Sequence, residues 1–589
     1  METIEFLTKN NYIMKIMFIK SCLTLVLLLL TPYSVFAQDV APDEIGMTLT
    51  AQEWSKQVIV GWNLGNTMES DGGETAWGCD PTTKKMIHAV KEAGFNAIRI
   101  PVRWYQNVLD NSTMEIKPKW LARVKEIVDW ALEEDMYVII NSHCEEWLDR
   151  NPYYSKQEEN NRRLTALWRN IATYFRDYGE KLAFAGTNEV DTDDWAIEHL
   201  KEYHSVQNGY NQTFVDAVRS TGGKNYYRHL LVQTYGCIPY HGFASFVIPK
   251  DKVEGKLSVE VHIYPPEGYG CLGYEDPNNI YYYWGKKYKD MGYDVPEQDE
   301  ETIVLLFDRM RKKWWDNGLG VIIGEHGLSY HYTTDDMTTQ LENEQYYFSF
   351  FVSEARKHGF ATFVWDNNQF GNGFDKFGIF NRNVNMIVKN KYALNGIMDG
   401  AKTQYQDSWS EPDITEGREL YWEGDLYMKF GNDNTIIIPS NNLMNYDSDM
   451  QLVLQYTLDY DFYNSNDFTA IQFTNMNDFA LLPFIMKEKE YNDTFFPHDY
   501  YLAGSGEQFV TTFTFKKDVF DQIQKQGLKI EGHNIRMNKV LLASTTTAIP
   551  FLLDKQVKEG KIFKLDGTEV QHMEKGKLYI KNKKKVLYQ

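Results

Sequence analysis

Two glutamates in the chain each stand at the end of a short apolar run. Glu189 follows Asn188 in LAFAGTNEV, and Glu325 closes the run GLGVIIGEHG. Short apolar runs are typical of parallel strands buried on both faces, and such strands carry functional groups at their carboxyl ends. Two carboxyl groups held together, one as acid and one as nucleophile, are the chemistry of glycosidic bond hydrolysis.

The elements that would position these groups are eight apolar runs between about residues 57 and 400. They are VIVGWNLGN, FNAIRIPV, MYVIINSH, KLAFAGTNE, HLLVQTY, KLSVEVHIY, LGVIIGEHG and FATFVWDNN. Amphipathic helix patterns lie between them, such as 120–135 and 161–179, with apolar residues at helical spacing. Eight strand–helix units predict an α/β fold, a (β/α)₈ TIM barrel. An open doubly wound sheet is the alternative, but no GxGxxG motif follows the first run.

Polar or aromatic side chains end almost every run. They are Arg99, His143, Asn188, Glu189, His262, Tyr264, Glu325 and Trp365. The carboxyl ends of all barrel strands open on one rim, so we expect these residues to converge there. Each alone has a structural alternative, such as a solvated glutamate, an arginine in the barrel floor or a core histidine. As an ordered set without a ligand they would leave several buried polar groups unsatisfied, which favours a functional site.

Six ordered segments resemble the signature segments of glycoside hydrolase family 5. They are GWNLGN, IRIPVRW, NEV, VHIYP, IIGEHG and VWDN, and the resemblance covers about residues 50 to 400. This cellulase family belongs to a clan whose acid/base and nucleophile lie on barrel strands four and seven. The resemblance implies that Glu189 is the acid/base and Glu325 the nucleophile, and that the other six rim residues bind substrate.

These roles set expectations about protons. Glu325 must be ionised to attack the anomeric carbon, and Arg99 or a hydrogen bond from Tyr264 would favour its charged form. Glu189 must start protonated, which a second carboxylate nearby encourages. Asn188 can donate to the sugar 2-hydroxyl, and the His143, His262 and Trp365 side chains offer further donors and an apolar face.

The sequence departs from the family pattern at four positions. Ala185 stands where a Glu is usual, Val190 where Pro follows the acid/base, His326 where an aromatic follows the nucleophile, and Cys144 where a second His is frequent. No catalytic carboxylate is lost. The Ala185 departure predicts that Arg99 is short of a partner and less firmly held.

The chain changes character beyond Glu411. Strand patterns joined by Gly, Asn and Asp turns replace the helical periodicity, which is nearly absent, so 411–545 is expected to be an antiparallel β-sandwich. Its stretch GLKIEGHNIRMNKVLL resembles carbohydrate-binding modules, and a structural spacer is the alternative. The Lys-rich tail 546–589 has two or three strand patterns and resembles C-terminal segments that direct export or surface attachment; a solvated face is the alternative.

The N-terminus reads as a removed signal peptide over 1–37, which leaves 38–410 for the barrel. Lys15 and Lys20 precede LTLVLLLL, and small residues end at Ala37. A membrane anchor is the alternative, but the apolar stretch is shorter than the ~20 residues of a spanning helix. We therefore expect a secreted, periplasmic or surface protein of a Gram-negative bacterium, with no spanning segment after cleavage.

Charge and composition narrow the partners. The net charge of −21 argues against nucleic acid and anionic membranes, which need a positive surface. The mature chain keeps Cys79, Cys144, Cys237 and Cys271, and export permits a disulfide among them. No CxxC or Cys/His metal spacing is present, so no metal and no cofactor are expected. The expected partner is a β-linked polysaccharide.

Several aromatic residues fall in predicted loops near the rim. They are Trp77, Trp147, Tyr153, Tyr154 and the run Tyr281–Trp284. Stacking on sugars and packing beneath the rim are equally good interpretations.

The sequence thus predicts a secreted, retaining endo-β-1,4-glucanase with its carboxyl groups ~5 to 5.5 Å apart. Within the same chemistry the alternatives are xyloglucan, mixed-linkage glucan, mannan or xylan as substrate. An alternative of another class is a catalytically silent carbohydrate-binding barrel, against which the presence of both glutamates argues.

Overall fold

The computed structural model of the chain describes most of residues 40–544. The gaps are 193, 195, 265, 267, 272–279 and 408–412, and beyond 544 only the backbone of 562–564, 569–570, 578–581 and 584–587 is described. The predicted signal peptide 1–37 and the predicted domain boundary at 410/411 lie outside the described residues.

The eight apolar runs all form strands, and these close into a parallel barrel. The strands are β1 Gly61–Asn63, β2 Ala97–Ile100, β3 Tyr137–Asn141, β4 Leu182–Ala185, β5 Leu230–Gln233, β6 Leu257–Ile263, β7 Gly320–His326 and β8 Ala361–Val364. Each strand pairs with its neighbours in chain order, and β8 pairs with β1. The predicted TIM barrel is confirmed.

Helices cover the outside of the barrel. The longer ones are Lys84–Glu92, Pro118–Glu133, Tyr154–Tyr174, Ile197–Arg219, Glu300–Lys313, Met337–His358 and Lys391–Ala401. In Pro118–Glu133 the buried residues Val124, Ile127, Val128 and Ala131 recur at helical spacing, so one apolar stripe faces the strands. No helix among the described residues has the length and apolar character to cross a membrane.

The barrel interior is filled at the end opposite the rim. The helix Ala51–Gln57 begins with a Thr50 capping box and places the fully buried Trp54 beside Tyr137 at the start of β3. The Trp54 indole donates to the carbonyl of Glu180 at 2.9 Å. Because this end is plugged, the open space lies at the carboxyl ends of the strands.

A β-sandwich follows the barrel. Its strands are β9 Glu419–Met428, β10 Ile436–Ile438, β11 Met450–Leu458, β12 Ala470–Asn475, β13 Thr494–Phe495, β14 Gln508–Phe513, β15 Leu528–His533 and β16 Ile535–Ser544. They form two four-stranded sheets, β9-β16-β11-β14 and β10-β15-β12-β13, around one shared hydrophobic core. The predicted sandwich is confirmed.

The sandwich also contains a helix that the sequence analysis did not predict. Lys517–Gln526 buries Val519, Phe520 and Ile523 against the sandwich core. Its apolar residues lie at helical spacing, but the segment is only ten residues long and stands among strand patterns, so it was not recognised. The Lys-rich tail forms four short strands in one small sheet, where two or three were expected.

Specific side-chain contacts join the sandwich to the barrel. Arg309 of the barrel helix Glu300–Lys313 binds Glu507 with 2.9 Å from Nε to Oε2 and donates to the carbonyl of Tyr501 at 2.8 Å. Its guanidinium lies 4.1 Å from the centre of the Phe243 ring. The two domains therefore meet at an ordered interface.

Candidate active site

The structure brings all eight predicted residues together at the carboxyl ends of the strands. Arg99 lies on β2, His143 follows β3, Asn188 and Glu189 follow β4, His262 and Tyr264 belong to the end of β6, Glu325 lies on β7, and Trp365 follows β8. Direct contacts link most of them, as described below. The convergence expected from strand ends is therefore what the fold produces.

Glu325 is buried and both of its oxygens are bound. Oε1 accepts from Arg99 Nη1 at 2.8 Å and Oε2 accepts from the Tyr264 hydroxyl at 2.8 Å. Both predicted contacts are present. Burial nevertheless raises the pKa of Glu325 above its ordinary value, although the charges of His262 and Arg99 and the Tyr264 bond act against it.

Glu189 is half-exposed at the rim and pairs with His262. Nδ1 of His262 lies 2.6 Å from Glu189 Oε1, and the Glu189 side chain is 47% exposed. Desolvation acts to raise the pKa of Glu189, but the hydrogen bond and charge of His262 outweigh it, so the pKa is lowered. Burial acts to lower the pKa of His262, but the neighbouring Cys237, the charge of Glu325 and the bond to Glu189 raise it well above its ordinary value.

The two pKa shifts therefore run opposite to the expected order, since the pKa of Glu325 is raised and that of Glu189 is lowered. Proximity of the two carboxylates was expected to keep Glu189 protonated, and its close contact with His262 was not predicted. A 2.6 Å hydrogen bond makes Glu189 and His262 one proton-carrying pair. Either member of this pair can carry the shared proton.

Arg99 is fully buried and organises the site. It donates to Asn63 Oδ1 at 3.0 Å, to Glu325, and to Asn188 Oδ1 at 2.7 Å. Its Nε lies 2.9 Å from Oε1 of Glu260 on β6. The expectation that Ala185 leaves Arg99 short of a carboxylate partner is therefore wrong, because a different strand supplies one.

The amide of Asn141 fixes two neighbours. Its Oδ1 accepts from the Val102 backbone at 3.1 Å, which orients Nδ2 toward His143 Nδ1 at 3.1 Å. His143 therefore accepts at Nδ1 and carries its proton on Nε2. Burial and the charge of Arg99 hold the pKa of His143 well below its ordinary value, so the ring is a neutral donor.

Trp365 forms the apolar wall of the site. Its ring lies parallel to His143, with 6.1 Å between ring centres and an interplanar angle of 8°. A Cβ at Gly65 would lie 2.9 Å from the indole, so the glycine after β1 leaves the space in which Trp365 sits.

Backbone irregularities aim the catalytic side chains. Between β6 and β7 the register shifts so that Val261 pairs with Ile323 but His262 pairs with Glu325, which leaves Gly324 as an extra residue. Several rim residues also hold positive φ. They are Asn66, Cys144, Glu189, Cys237 and Asn368. Strain of this kind clusters at functional sites because the surroundings over-determine it.

Four polar residues in this network were not predicted from the sequence. They are Asn63, Asn141, Gln233 and Glu260. Each is fully or almost fully buried inside a strand otherwise made of apolar residues. A polar residue within a run buried on both faces is the signal that could have found them.

The loop aromatics divide between the two interpretations. Trp284 is fully buried and packs edge-on against Tyr347, so its interpretation as a stacking platform is wrong. Trp147 is half-buried under Arg163, 4.2 Å from its ring centre. Trp77 and Tyr154 are exposed, and their role stays a prediction.

The departure at His326 has a structural explanation. His326 is buried and stacks on Phe351 with 4.9 Å between ring centres, as an aromatic residue would. Among the described residues the four cysteines form no disulfide.

One set of donors at the rim has the types and spacing of metal ligands. Single ligand atoms of Glu189, His262 and Glu325 lie within 4.8 Å of one another. Arg99, 2.8 Å from Glu325, already places a positive charge there, and His262 has its pKa raised. Both features disfavour a cation, and the expectation of a metal-free site stays a prediction.

Known proteins resemble the chain over the barrel. The family profile described as Cellulase (glycosyl hydrolase family 5) matches residues 63–371. A xyloglucan-specific endo-beta-1,4-glucanase of Bacteroides ovatus is 36% identical over 360 residues, 58% of this chain and 71% of the relative. Endoglucanase B of Clostridium cellulovorans is 33% identical over 376 residues, 62% and 80% of the two chains.

Solved structures agree. A Bacteroides ovatus GH5 xyloglucanase in complex with a XXXG heptasaccharide has a TM-score of 0.57 at 34% identity, covering 62% of this chain and 79% of that chain. A GH5-4 broad specificity endoglucanase from Clostridium acetobutylicum has a TM-score of 0.52 at 31% identity, covering 59% and 99%. Since sequence profile, relatives and barrel coincide, the chain belongs to glycosyl hydrolase family 5 and is a glycoside hydrolase of the endoglucanase type.

Proposed function

We propose that the chain is a secreted, retaining endo-β-1,4-glucanase in which Glu325 is the nucleophile and Glu189 the acid/base. The observation that carries the proposal is the distance between the carboxyl groups: an oxygen of each lies within 4.8 Å of the other. Inverting enzymes need ~6.5 to 9.5 Å to admit a water between acid and sugar. The shorter distance supports double displacement.

In the first step Glu325 attacks the anomeric carbon and the glycosidic C–O bond breaks. The leaving oxygen takes a proton from Glu189, which has received that proton from the hydrogen-bonded His262 imidazolium. Arg99 and Tyr264 hold both Glu325 oxygens in place and favour its charged form before attack. A sugar that displaces water from the site strengthens these interactions.

In the second step Glu189, now a carboxylate, takes a proton from water. The resulting hydroxide attacks the anomeric carbon and Glu325 leaves, which restores the starting configuration. Asn188 Oδ1 is occupied by Arg99 and Asn141, so the group it offers a sugar 2-hydroxyl is its Nδ2 donor.

The substrate is proposed from the relatives and the site together. Neutral donors and an apolar Trp365 wall suit an uncharged glucan chain. Xyloglucan is a second candidate, because the first relative and one of the solved structures described above act on xyloglucan according to their names. Reducing-sugar release from carboxymethyl cellulose, lichenan, xyloglucan, glucomannan and xylan separates these substrates; no release from any of them would leave the silent-barrel alternative.

Stereochemistry and residue roles are tested by chemical rescue. The first product of an aryl β-glycoside should be the β-hemiacetal in proton NMR. A Glu189→Gln enzyme should still be glycosylated by an aryl glycoside with a good leaving group, and azide should then give the β-azide. Azide on Glu325→Ala should give the α-azide by direct displacement. The opposite products would exchange the two roles.

Location and accessory domains are proposed on sequence grounds. We assign 1–37 to a signal peptide, 38–410 to the catalytic barrel, 411–545 to a sandwich that binds glycan, and 546–589 to a sorting or attachment tail. N-terminal sequencing of the exported enzyme tests cleavage after Ala37. Pull-down of the isolated sandwich with insoluble cellulose tests glycan binding.

A further inference from the structure

We propose that Glu260 is a positioning residue for the reaction: its carboxylate holds Arg99 and sets the charge balance of the Glu189–His262–Glu325 group. The inference rests on the proposed function, because it concerns how those three residues share protons.

Glu260 is fully buried on β6 and is held from several sides. Its Oε1 lies 2.9 Å from Arg99 Nε and 3.7 Å from His262 Nε2. Its Oε2 accepts from Gln233 Nε2 at 2.7 Å, and Gln233 in turn accepts from the Thr187 hydroxyl at 2.7 Å. Glu260 therefore touches the two cations that contact the catalytic carboxyl groups.

The barrel interior is shaped to admit this carboxylate. A Cβ built on Gly324 of β7 would overlap Glu260 Oε1, so only glycine leaves that space open. On β4 the interior residues Ala183 and Ala185 contribute methyl groups alone. The acidic partner of Arg99 thus enters from β6 because β4 offers none.

The contact with Arg99 works through charge more than through a directed hydrogen bond. Neither Arg99 Nε nor Glu260 Oε1 has a hydrogen-bond partner of good geometry among the described residues, although the two atoms are 2.9 Å apart. Burial acts to raise the pKa of Glu260, but Arg99 outweighs it and lowers the pKa to about 2. Glu260 is therefore an anion throughout the working pH range.

The charged and titratable groups around Arg99 come from every neighbouring strand end. They are His143 after β3, Glu189 after β4, Cys237 after β5, Glu260 and His262 on β6, and Glu325 on β7. Without Glu260, Glu325 would be the one carboxylate ion-paired with Arg99 among the described residues, and the site would carry one more net positive charge. A more positive site stabilises carboxylates and destabilises imidazolium, so the pKa values of Glu189, Glu325 and His262 would all fall.

Two substitutions separate the charge of Glu260 from its shape. Glu260→Gln keeps the shape and removes the charge; we expect kcat to fall about tenfold or more, KM to change little, and both limbs of the pH–rate profile to move about half a unit or more to lower pH. Glu260→Asp keeps the charge but withdraws it from Arg99; we expect kcat to fall at least about fivefold with the limbs unmoved.

A matched control removes a buried ion pair elsewhere. Arg219 and Asp251 form an enclosed pair at 2.7 Å away from the rim. Asp251→Asn should lower the melting temperature and leave the pH profile unchanged. If Glu260→Gln behaves like this control, Glu260 is only structural and the inference is overturned. Should Glu260→Gln not fold, an unchanged kcat in Glu260→Asp overturns it equally.

The inference and the proposed function fail differently. Full activity in Glu325→Gln and Glu189→Gln would overturn the assigned roles. Activity lost in those two variants, with pH limbs unmoved in Glu260→Gln, would overturn the role of Glu260 alone.

Discussion

Two arginines in this molecule hold a glutamate at the same distance and do different work. Arg99 lies 2.8 Å from Glu325 at the barrel rim, and Arg309 lies 2.8 Å from Glu507 between barrel and sandwich. Both pairs are largely enclosed, so burial alone does not distinguish them. The two pairs differ in the charged, polar and aromatic groups that surround them.

The charged groups at the rim do not divide into separate ion pairs. Glu189, Glu260 and Glu325 face Arg99 and His262 within one connected group, so moving one proton changes every member. At the interface, Arg309 uses its remaining donors on the backbone carbonyls of Tyr501 and Leu502 and lays its face on Phe243. At the rim, several charged groups share protons, which suits catalysis. At the interface, a single ion pair has its remaining donors bound by backbone carbonyls and its face covered by an aromatic ring, which suits a structural contact between domains.

The largest effect expected from this comparison is on activity. Glu325→Gln should lower kcat on every substrate by at least about a thousandfold, because no nucleophile remains to form the glycosyl-enzyme. Glu507→Gln, the same change at the other arginine, should leave kcat on a soluble glucan unchanged. Initial rates at saturating substrate measure both, and equal losses in the two variants would break the comparison.

Removing the sandwich should affect stability more than chemistry. A chain ending near Ile414 exposes barrel surface that packs on the sandwich core, including Leu305, and leaves Arg309 without Glu507. We expect the melting temperature of the barrel to fall by about 5 °C or more. The kcat on soluble glucan, counted per folded molecule, should not change. Activity on insoluble glycan should fall further if the sandwich binds glycan. An unchanged melting temperature would show that the interface contributes nothing.

A single substitution measures the interface more finely. Arg309→Ala removes the ion pair, the carbonyl contacts and the stacking on Phe243, and should cost about 2 to 3 kcal/mol, mostly because Glu507 is left unpaired. Arg536→Ala is the control: its pair with Asp459 is half-exposed and is worth at most about 1 kcal/mol. Denaturant titration at constant m-value gives both numbers. Equal costs would contradict the interpretation.

Much of the fold and most of the candidate site could be predicted because their signals are local. Eight apolar runs mark eight strands, and a polar residue after a run marks the rim, as with His143 and Glu189. Glu260 escaped because it lies in the middle of LSVEVHIY, and only residues at the ends of runs were expected at the rim. Arg309 and Glu507 escaped because they are distant in the chain, and no pattern in either segment indicates its partner.

The smallest effect expected at the interface is a pH dependence of stability. His204 shares one hydrogen bond with Tyr463 of the sandwich and another with His241, each 3.1 Å long. Burial lowers the pKa of His204 to about 3 and that of His241 to about 4. Both rings are therefore neutral when folded, whereas the unfolded chain takes up protons below about pH 6.5. Their contribution to stability is complete above about pH 6.5 and is lost as the pH falls toward 4 and 3.

His204→Gln tests this directly. Between pH 6.5 and 5.5 the wild-type enzyme should lose about 1 kcal/mol more stability than the variant, because only the wild-type chain must exclude that proton on folding. Arg536→Ala, a change at a half-exposed sandwich residue that does not titrate in this pH range, serves as the control and should show the wild-type slope. The measurement is the free energy of unfolding at the two pH values, at one ionic strength. If the His204 variant loses stability as steeply as the wild type, the histidine pair does not couple the interface to pH, and the docking of the two domains depends on Arg309 and the apolar contacts around it.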